Sequence, residues 1–204
     1  MYGAQLLADA AGLAHEKAVI DTAIAAIGAG TDKNFASSET DPIKELDEAI
    51  MTVMKAAKNG APVKVLFGAT AFLRLKNNAN VRKMFVSGGG SKFATPGLAD
   101  IQAMLFGNPE CRMSLMVIDT AAEGVQESIN FLLDEAILIF SSKDEPNTMD
   151  PSFMKTFRLM GNWMVPGGYE SEDKRDTVLK FDWYEQIKVT NQPAAVRINA
   201  KATS

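Results

Sequence analysis

The chain has 204 residues, of which 47% are apolar and 23% are charged, and its formal net charge is −4. That length and composition allow a sizeable core, in one domain or in two small lobes, and the acidic balance argues against a dedicated nucleic-acid-binding protein. The single cysteine excludes an internal disulfide and a multi-cysteine zinc site. Since there is no signal-peptide pattern and no apolar run of about 18 residues, we expect a soluble intracellular protein.

The first segment predicts one long amphipathic helix over about residues 4–28. Large apolar residues recur every seven positions, which places them on one stripe of a helix: Leu6, Leu13, Ile20 and Ile27. Gly28 follows at a position where glycine commonly ends a helix.

A second helix is predicted to begin at residue 42. Asp41 can cap its N-terminus, and Pro42 occupies the first helical position, where proline is favoured. Its apolar face follows the helical spacing: Ile43, Leu46, Ile50 and Val53.

The middle of the chain combines strands with helices. The apolar run at residues 63–67 predicts a buried strand, and the amphipathic residues 69–78 that follow predict a helix. Another helix start is predicted at Pro96. Two later apolar runs, residues 112–120 and 136–140, predict two more buried strands. This order of elements indicates an α/β layer.

From about residue 146 the chain becomes rich in strand patterns. Between residues 177 and 190, Leu179, Phe181 and Trp183 alternate with charged or polar residues, which is the period-two pattern of a half-buried strand. Together with the strand before it, this segment would form a long extended pair that turns near residues 171–176.

A run of three glycines, Gly88–Gly90, is followed by Ser91 and Lys92. Glycine-rich loops before helices hold phosphate in many nucleotide-binding proteins. In the P-loop, however, lysine directly follows the last glycine and a hydroxyl residue comes next, which is the reverse of the order here. The preceding residues are polar and basic and resemble a helix end. We therefore expect a surface loop and no bound nucleotide.

The residue types that most enzymes use for catalysis are scarce. His15 is the only histidine, which excludes a site of two histidines and one carboxylate within one chain, and its helical surroundings indicate a solvated position. Cys111 begins an apolar run and is expected to be packed. We identify no catalytic, cofactor-binding or metal-binding residue, and we expect a protein that is not an enzyme and uses no cofactor.

An ordered series of segments resembles the major capsid proteins of tailed bacteriophages of the Hong Kong 97 type. The series is DPIKELDEAI (residues 41–50), VKVLFGATAFLRLKNNANVRKMF (63–85), LADIQAMLFGNPECRMSLMVIDTAAEG (98–124) and AAVRIN (194–199). The resemblance implies an α+β fold with a long spine helix, the strands of a peripheral (P) domain and an axial (A) domain.

The resemblance also implies three parts of the chain. Residues 1–60 would hold the spine helix and the following helix of the P-domain, residues 61–145 the A-domain, and residues 146–204 the strands that return to the P-domain. In the family, an N-terminal arm and an extended hairpin, the E-loop, precede the spine helix, whereas this sequence opens on the helix. We therefore expect a fragment or a truncated form that lacks both.

The function implied by the resemblance is structural: a head subunit of a tailed bacteriophage or prophage that self-assembles into pentamers and hexamers of an icosahedral shell around DNA. Its partners would be other copies of the chain, portal, scaffold or decoration proteins, and packaged DNA only non-specifically; no membrane partner is expected. Its location would be the virion capsid, after assembly in the host bacterial cytoplasm. The alternatives are an encapsulin-type nanocompartment shell and an α/β enzyme with an unrecognised site.

Contacts between copies are expected along the late strands and in the loop at residues 86–97. Aromatic residues, which anchor many interfaces, cluster in the last third of the chain: Trp163, Tyr169, Trp183 and Tyr184. The strand alternation places Trp183 in the core, while Tyr184 faces the other way and is the stronger interface candidate.

Overall fold

The computed structural model describes residues 2–58, 61–90, 95–122, 124–145, 147, 149–159, 164–171 and 176–202. Its helices are α1 (Tyr2–Ile27), α2 (Pro42–Ala56), α3 (Ala69–Asn77), α4 (Ala79–Ser87) and α5 (Leu98–Met104). Its strands are β1 (Thr31–Asn34), β2 (Val63–Phe67), β3 (Glu110–Met113), β4 (Val117–Asp119), β5 (Ile129–Phe131), β6 (Ala136–Ser141), β7 (Met154–Arg158), β8 (Met164–Ser171), β9 (Asp176–Trp183), β10 (Glu185–Val189) and β11 (Ala195–Lys201).

A five-stranded mixed sheet lies at the centre, in the order β1-β11-β6-β2-β3. The β1–β11 and β2–β3 pairs are parallel, and the β11–β6 and β6–β2 pairs are antiparallel. The sheet is therefore not a doubly wound parallel sheet. It joins strands from all three predicted parts, residues 1–60, 61–145 and 146–204, and its β11, expected to return to the P-domain, lies between β1 and β6. The division itself stays a prediction.

Apolar side chains cover both faces of this sheet. Along β2, Val63, Val65 and Phe67 are buried on one face, where α2, α3, α4 and α5 also contribute side chains to the main core. The Phe67 ring meets the edge of the Phe72 ring at 5.7 Å. On the opposite face, Leu66 and Leu138 belong to a second cluster, to which α1 contributes.

The start of α2 agrees with the sequence-based expectation. Asp41 Oδ1 accepts hydrogen bonds from the backbone N–H groups of Ile43 (3.2 Å) and Lys44 (3.4 Å), and Pro42 is at the first helical position. The predicted apolar face is buried at all four positions: Ile43, Leu46, Ile50 and Val53.

The long first helix is confirmed, but its apolar stripe is buried only in the second half. Ile20 is 3% exposed and packs on the sheet, whereas Leu6 is 54% exposed. Gly28, with a φ of +84°, ends the helix and donates from its N–H to the Ile24 carbonyl. Neither α1 nor any other helix of the described residues has the length and apolarity needed to cross a membrane.

The segment before the glycines is a helix of its own. The sequence suggested only a helix end there, but Asn78 interrupts the helix and caps α4, accepting hydrogen bonds from Asn80 N (2.8 Å) and Val81 N (3.4 Å). The Asn78 amide also donates to the carbonyls of Phe35 and Ser37. This buried amide therefore holds the loop before α2 against α4.

The single buried strand predicted over residues 112–120 is wrong. Only β3 joins the central sheet, and the chain leaves the sheet at Ser114, whose N–H donates to the Phe67 carbonyl. The next strand, β4, pairs with β5 in a separate two-stranded sheet. β5 was not predicted.

The single late strand predicted over residues 177–190 is also divided, at Tyr184. β9 pairs with β8 over eight residues, and β10 pairs with β7. The predicted extended strand pair is thus the β8–β9 hairpin, whereas the following residues belong to a different ribbon. A local period-two pattern cannot show such a change of partner.

Candidate subunit interface

The amide groups of the glycine run bond to their own helix. Gly88 N, Gly89 N and Gly90 N donate to carbonyls of α4 at 2.9, 3.2 and 3.0 Å. A Cβ on Gly90 would lie 2.5 Å from the Phe85 ring, so this last glycine of the run is also closely packed. These N–H groups do not point into a phosphate cradle, which supports the prediction that no nucleotide binds here. Ser91 and Lys92 lie outside the described residues.

His15 is half-buried and has an acidic partner, in contrast to the solvated position expected. Its Nδ1 lies 2.5 Å from Glu185 Oε1, and Arg158 Nε donates to the other oxygen of that carboxylate at 3.3 Å. The carboxylate is 9% exposed. Because these residues come from α1, β7 and β10, the contact attaches the long helix to the β7–β10 ribbon.

Cys111 is packed, as expected. Its thiol is buried in the main core and lies 3.4 Å from the Pro109 carbonyl oxygen, which can accept a hydrogen bond from it. Burial raises the pKa of the thiol to about 12. The thiolate, which is the nucleophilic form, is therefore suppressed at neutral pH.

A cleft of about 420 Å³ lies between α2 and the edge of the sheet. At its rim Lys64 contacts Asp144 and, at 2.9 Å, Glu110, which also accepts from Arg112. The hydrogen bond with Asp144 raises the pKa of Lys64, and the hydrogen bond from Lys64 lowers that of Glu110. Each group is thus held in its ordinary charged form, unlike an acid or base tuned to neutral pH.

No group of three or more potential metal ligands occurs within the part of the chain that the structure describes. The carboxyl groups of Glu135 and Asp150 also have pKa values below the ordinary range. Hydrogen bonds from Lys201 and Arg74 lower the pKa of Glu135, and hydrogen bonds from Ser152 lower that of Asp150 to about 2. These are properties of structural ion pairs and caps, since a general base requires a pKa closer to neutral pH.

The main unexplained surface is the β4–β5 hairpin, which we define as residues 115–131. Five large apolar side chains project from it into solvent: Leu115, Val117, Val125, Ile129 and Phe131. Val125 and Ile129 are the most exposed of the five, at 67% and 63%. A concentration of exposed apolar residues marks an interaction site in most proteins. The sequence did not indicate this surface, because Leu115 and Val117 fell in the buried strand predicted over residues 112–120 and residues 121–131 were assigned to no element.

Polar contacts give the hairpin a defined shape without a core. Asp119 Oδ1 accepts from Ala121 N and Ser128 N, both at 2.9 Å, and these bonds lower the pKa of the carboxyl. The Asn130 amide donates to Thr120 and to Ser128. The backbone is therefore organised locally while the apolar side chains remain uncovered.

The late aromatic residues are exposed in the described part of the chain. Tyr184 is 55% exposed, as expected for a side chain that faces away from the core, and Tyr169 is also exposed. Their role in an interface stays a prediction. Trp183 is 41% exposed, so its expected place in the core is wrong. It lies beside α1 at a small cavity of about 130 Å³, on a ribbon that pairs only β8 with β9. Trp163 lies outside the described residues.

Solved phage and capsid structures share this fold. A phage-related protein from Bordetella bronchiseptica RB50 superposes with a TM-score of 0.80 at 15% identity, over 98% of this chain and 67% of that one. A chain of the cyanophage P-SCSP1u capsid gives 0.54 at 14% identity, over 99% and 65%. A virus-like particle from Pyrococcus furiosus gives only 0.47 at 14% identity, over 92% and 61%, and supports no argument.

These similarities identify a capsid-like fold of helices and strands. The chain spans about two thirds of the length of the solved chains it matches. No protein-family model matches the sequence, and no curated protein does.

Proposed function

We propose that the chain is the shell-forming part of a major capsid subunit of the Hong Kong 97 type, from a tailed bacteriophage or prophage. The observation that carries the proposal is the superposition of 98% of the chain, at a TM-score of 0.80, on the phage-related protein from Bordetella bronchiseptica. The cyanophage capsid chain supports it at lower similarity. In this proposal copies of the subunit form pentamers and hexamers of an icosahedral shell that encloses DNA within the virion.

In the proposed subunit, the spine helix, the P-domain and the A-domain each correspond to particular helices and strands. α1 is the spine helix, the β8–β9 hairpin belongs to the P-domain, and the β2–α3 unit with the β4–β5 hairpin belongs to the A-domain. Within the residues that the structure describes, both hairpins pair only their own two strands, and both expose apolar or aromatic side chains. Such surfaces suit a protein that works through many weak contacts between identical copies, where binding gains from multiplicity.

The proposed role is structural and not enzymatic. The shifted pKa values of the described groups keep carboxylates ionised, Lys64 protonated and Cys111 protonated at neutral pH. A structural subunit requires no more than this.

Electron microscopy of the full-length protein, expressed alone and with its neighbouring genes, tests the proposal. We expect closed shells of pentamers and hexamers, with nuclease-protected DNA when packaging genes are present. Shells that hold a cargo enzyme and no DNA would instead identify an encapsulin-type compartment. A full-length protein that stays monomeric at high concentration under all these conditions would overturn the shell assignment.

A further inference from the structure

Positive and negative charge are separated along the middle of the chain. Residues 49–99 contain no Asp or Glu, and their basic residues are Lys55, Lys58, Lys64, Arg74, Lys76, Arg82, Lys83 and Lys92. Residues 113–142 contain no Lys or Arg, and their acidic residues are Asp119, Glu123, Glu127, Asp134 and Glu135. In a chain whose overall charge is only −4, such long single-sign segments produce surfaces of opposite sign.

The positive surface is best developed on α4. Arg82 and Lys83 are exposed and border an open depression that Val86 also lines. Met84, next to them, is 42% exposed. Val81, on the other side of the helix, is fully buried, so the orientation of α4 is fixed by the core. The exposed face of α4 therefore carries one guanidinium and one ammonium group beside apolar side chains.

The negative surface is the β4–β5 hairpin. Asp119 and Glu127 are exposed there, among the apolar side chains of Val125 and Ile129. Among the described residues, no ion pair includes Glu127, Arg82 or Lys83. The two surfaces are thus complementary in charge, each carries apolar residues, and neither is neutralised within the described part of the chain.

We propose that the β4–β5 hairpin of one copy docks on the exposed face of α4 of the next copy, in a head-to-tail contact. This inference rests on the proposed shell function. Two α4 faces placed against each other would repel, and so would two hairpins, so the contact must join α4 of one copy to the hairpin of another. A two-fold pair also allows such contacts, exchanged reciprocally; the head-to-tail form is the one that fits the ring-forming subunit proposed above. Repeated contacts of that kind close into a ring when the rotation allows it, which is the arrangement of a capsomer.

A second copy explains more of the surface than nucleic acid does. Phosphate groups would need only the cations of α4, and they would leave the hairpin without a partner. The exposed Val125, Ile129 and Phe131 would lose contact with water against an apolar partner, which α4 offers through Met84 and Val86. Charge sets the pairing, and the apolar groups add buried area.

Charge reversal in the full-length protein tests the contact. Lys83→Glu and Glu127→Lys should each raise the protein concentration needed for ring formation by at least about tenfold, because each places like charges together. The protein carrying both changes should recover most of the parent's association, since the pair is restored with reversed sign. Lys44→Glu, at an exposed position of α2, is the control matched in charge to Lys83→Glu. Mass photometry at 0.15 M salt gives the ring populations.

The outcomes separate the two proposals. If the parent forms shells and both single variants form them equally well, the docking of hairpin on α4 is wrong while the shell function stands. If the parent forms neither rings nor shells, the shell function is wrong and this contact falls with it. A third outcome concerns DNA. If the parent binds duplex DNA, Lys83→Glu loses that binding, and the protein carrying both changes does not recover association, then α4 is a nucleic-acid surface and the contact is likewise refuted.

Discussion

The central sheet and the β4–β5 hairpin both carry large apolar side chains on strands, but these side chains are buried in the sheet and exposed in the hairpin. Phe67, on β2, has no exposed surface, whereas Phe131, on β5, is 43% exposed. The helices of the chain cover the sheet, and no element of the described residues covers the hairpin to the same degree. The difference teaches that the sheet region stabilises the fold, while the apolar groups of the hairpin remain available for contacts outside it, as the proposed docking requires.

Truncation of the two phenylalanines gives the largest expected contrast. Phe67→Ala should lower the free energy of unfolding by about 3–5 kcal/mol, because a buried ring is replaced by a cavity. Phe131→Ala should lower it less, by about 1–2 kcal/mol, since 43% of the side chain is already exposed and no enclosed cavity is left. Urea unfolding monitored by circular dichroism measures both. Equal losses in the two variants would show that the hairpin belongs to the core.

Two glycines sharpen the comparison through backbone packing. At Gly68, between β2 and α3, an added Cβ would lie 2.2 Å from the carbonyl oxygen of Asp134. Gly68→Ala should therefore destabilise the protein by at least about 2 kcal/mol. Gly12, in α1, has no atom within 4 Å of the same position, so Gly12→Ala should stabilise the helix by up to about 1 kcal/mol. Thermal unfolding of the pair decides the point, and a tolerated Gly68→Ala would mean that α3 can move away from the sheet.

The connection from the sheet to the β7–β10 ribbon should respond to acid. Asp150 and Lys155 are both buried and lie 3.4 Å apart, and Asp150 accepts hydrogen bonds from Ser152 N and Asn147 N. Its pKa is lowered from 3.8 to about 2. The carboxylate thus contributes stability that is fully present above about pH 4 and is lost as the pH falls through 2. In Asp150→Asn, we expect the decline in unfolding free energy between pH 4 and pH 2 to be shallower.

Glu39→Gln, in the loop before α2, is a matched control for that measurement. It should leave the acid limb of the stability curve unchanged. An Asp150→Asn curve parallel to that of the parent would show that other carboxylates govern acid unfolding.

The smallest effect is expected from Asp119, which organises the hairpin but supports no core. Asp119→Ala removes the acceptor for Ala121 N and Ser128 N. Global stability should change by less than about 0.5 kcal/mol, while hydrogen exchange at residues 117–131 should accelerate, because the hairpin opens locally. Unchanged exchange there would mean that the strand pairing alone holds its shape.

The parts of the fold that could be predicted from the sequence are those fixed by local chemistry. Asp41 and Pro42 set the start of α2, and the spacing of Ile20 and Ile27 predicted α1. The strand pairing of residues 112–120 and the exposure of Trp183 could not be predicted in the same way. Periodicity shows that one face of a strand is apolar, but not whether the chain itself or another copy covers it. The separation of basic and acidic segments can be read from the sequence, but the fold was needed to place Asp119 and Glu127 beside exposed apolar side chains.

The position of β11 in the sheet has a consequence for how the protein is made. This strand lies between β1 and β6, and Asn199 donates to Asp32, a residue 167 positions earlier. Contacts over such distances in sequence form slowly, because a long loop must close first. On the ribosome, β1 and β6 must wait for residues 195–201 to emerge, and their unpaired edges are exposed in the meantime to pairing with other nascent chains. The central sheet is therefore completed only after all the strands from β1 to β10 have been synthesised.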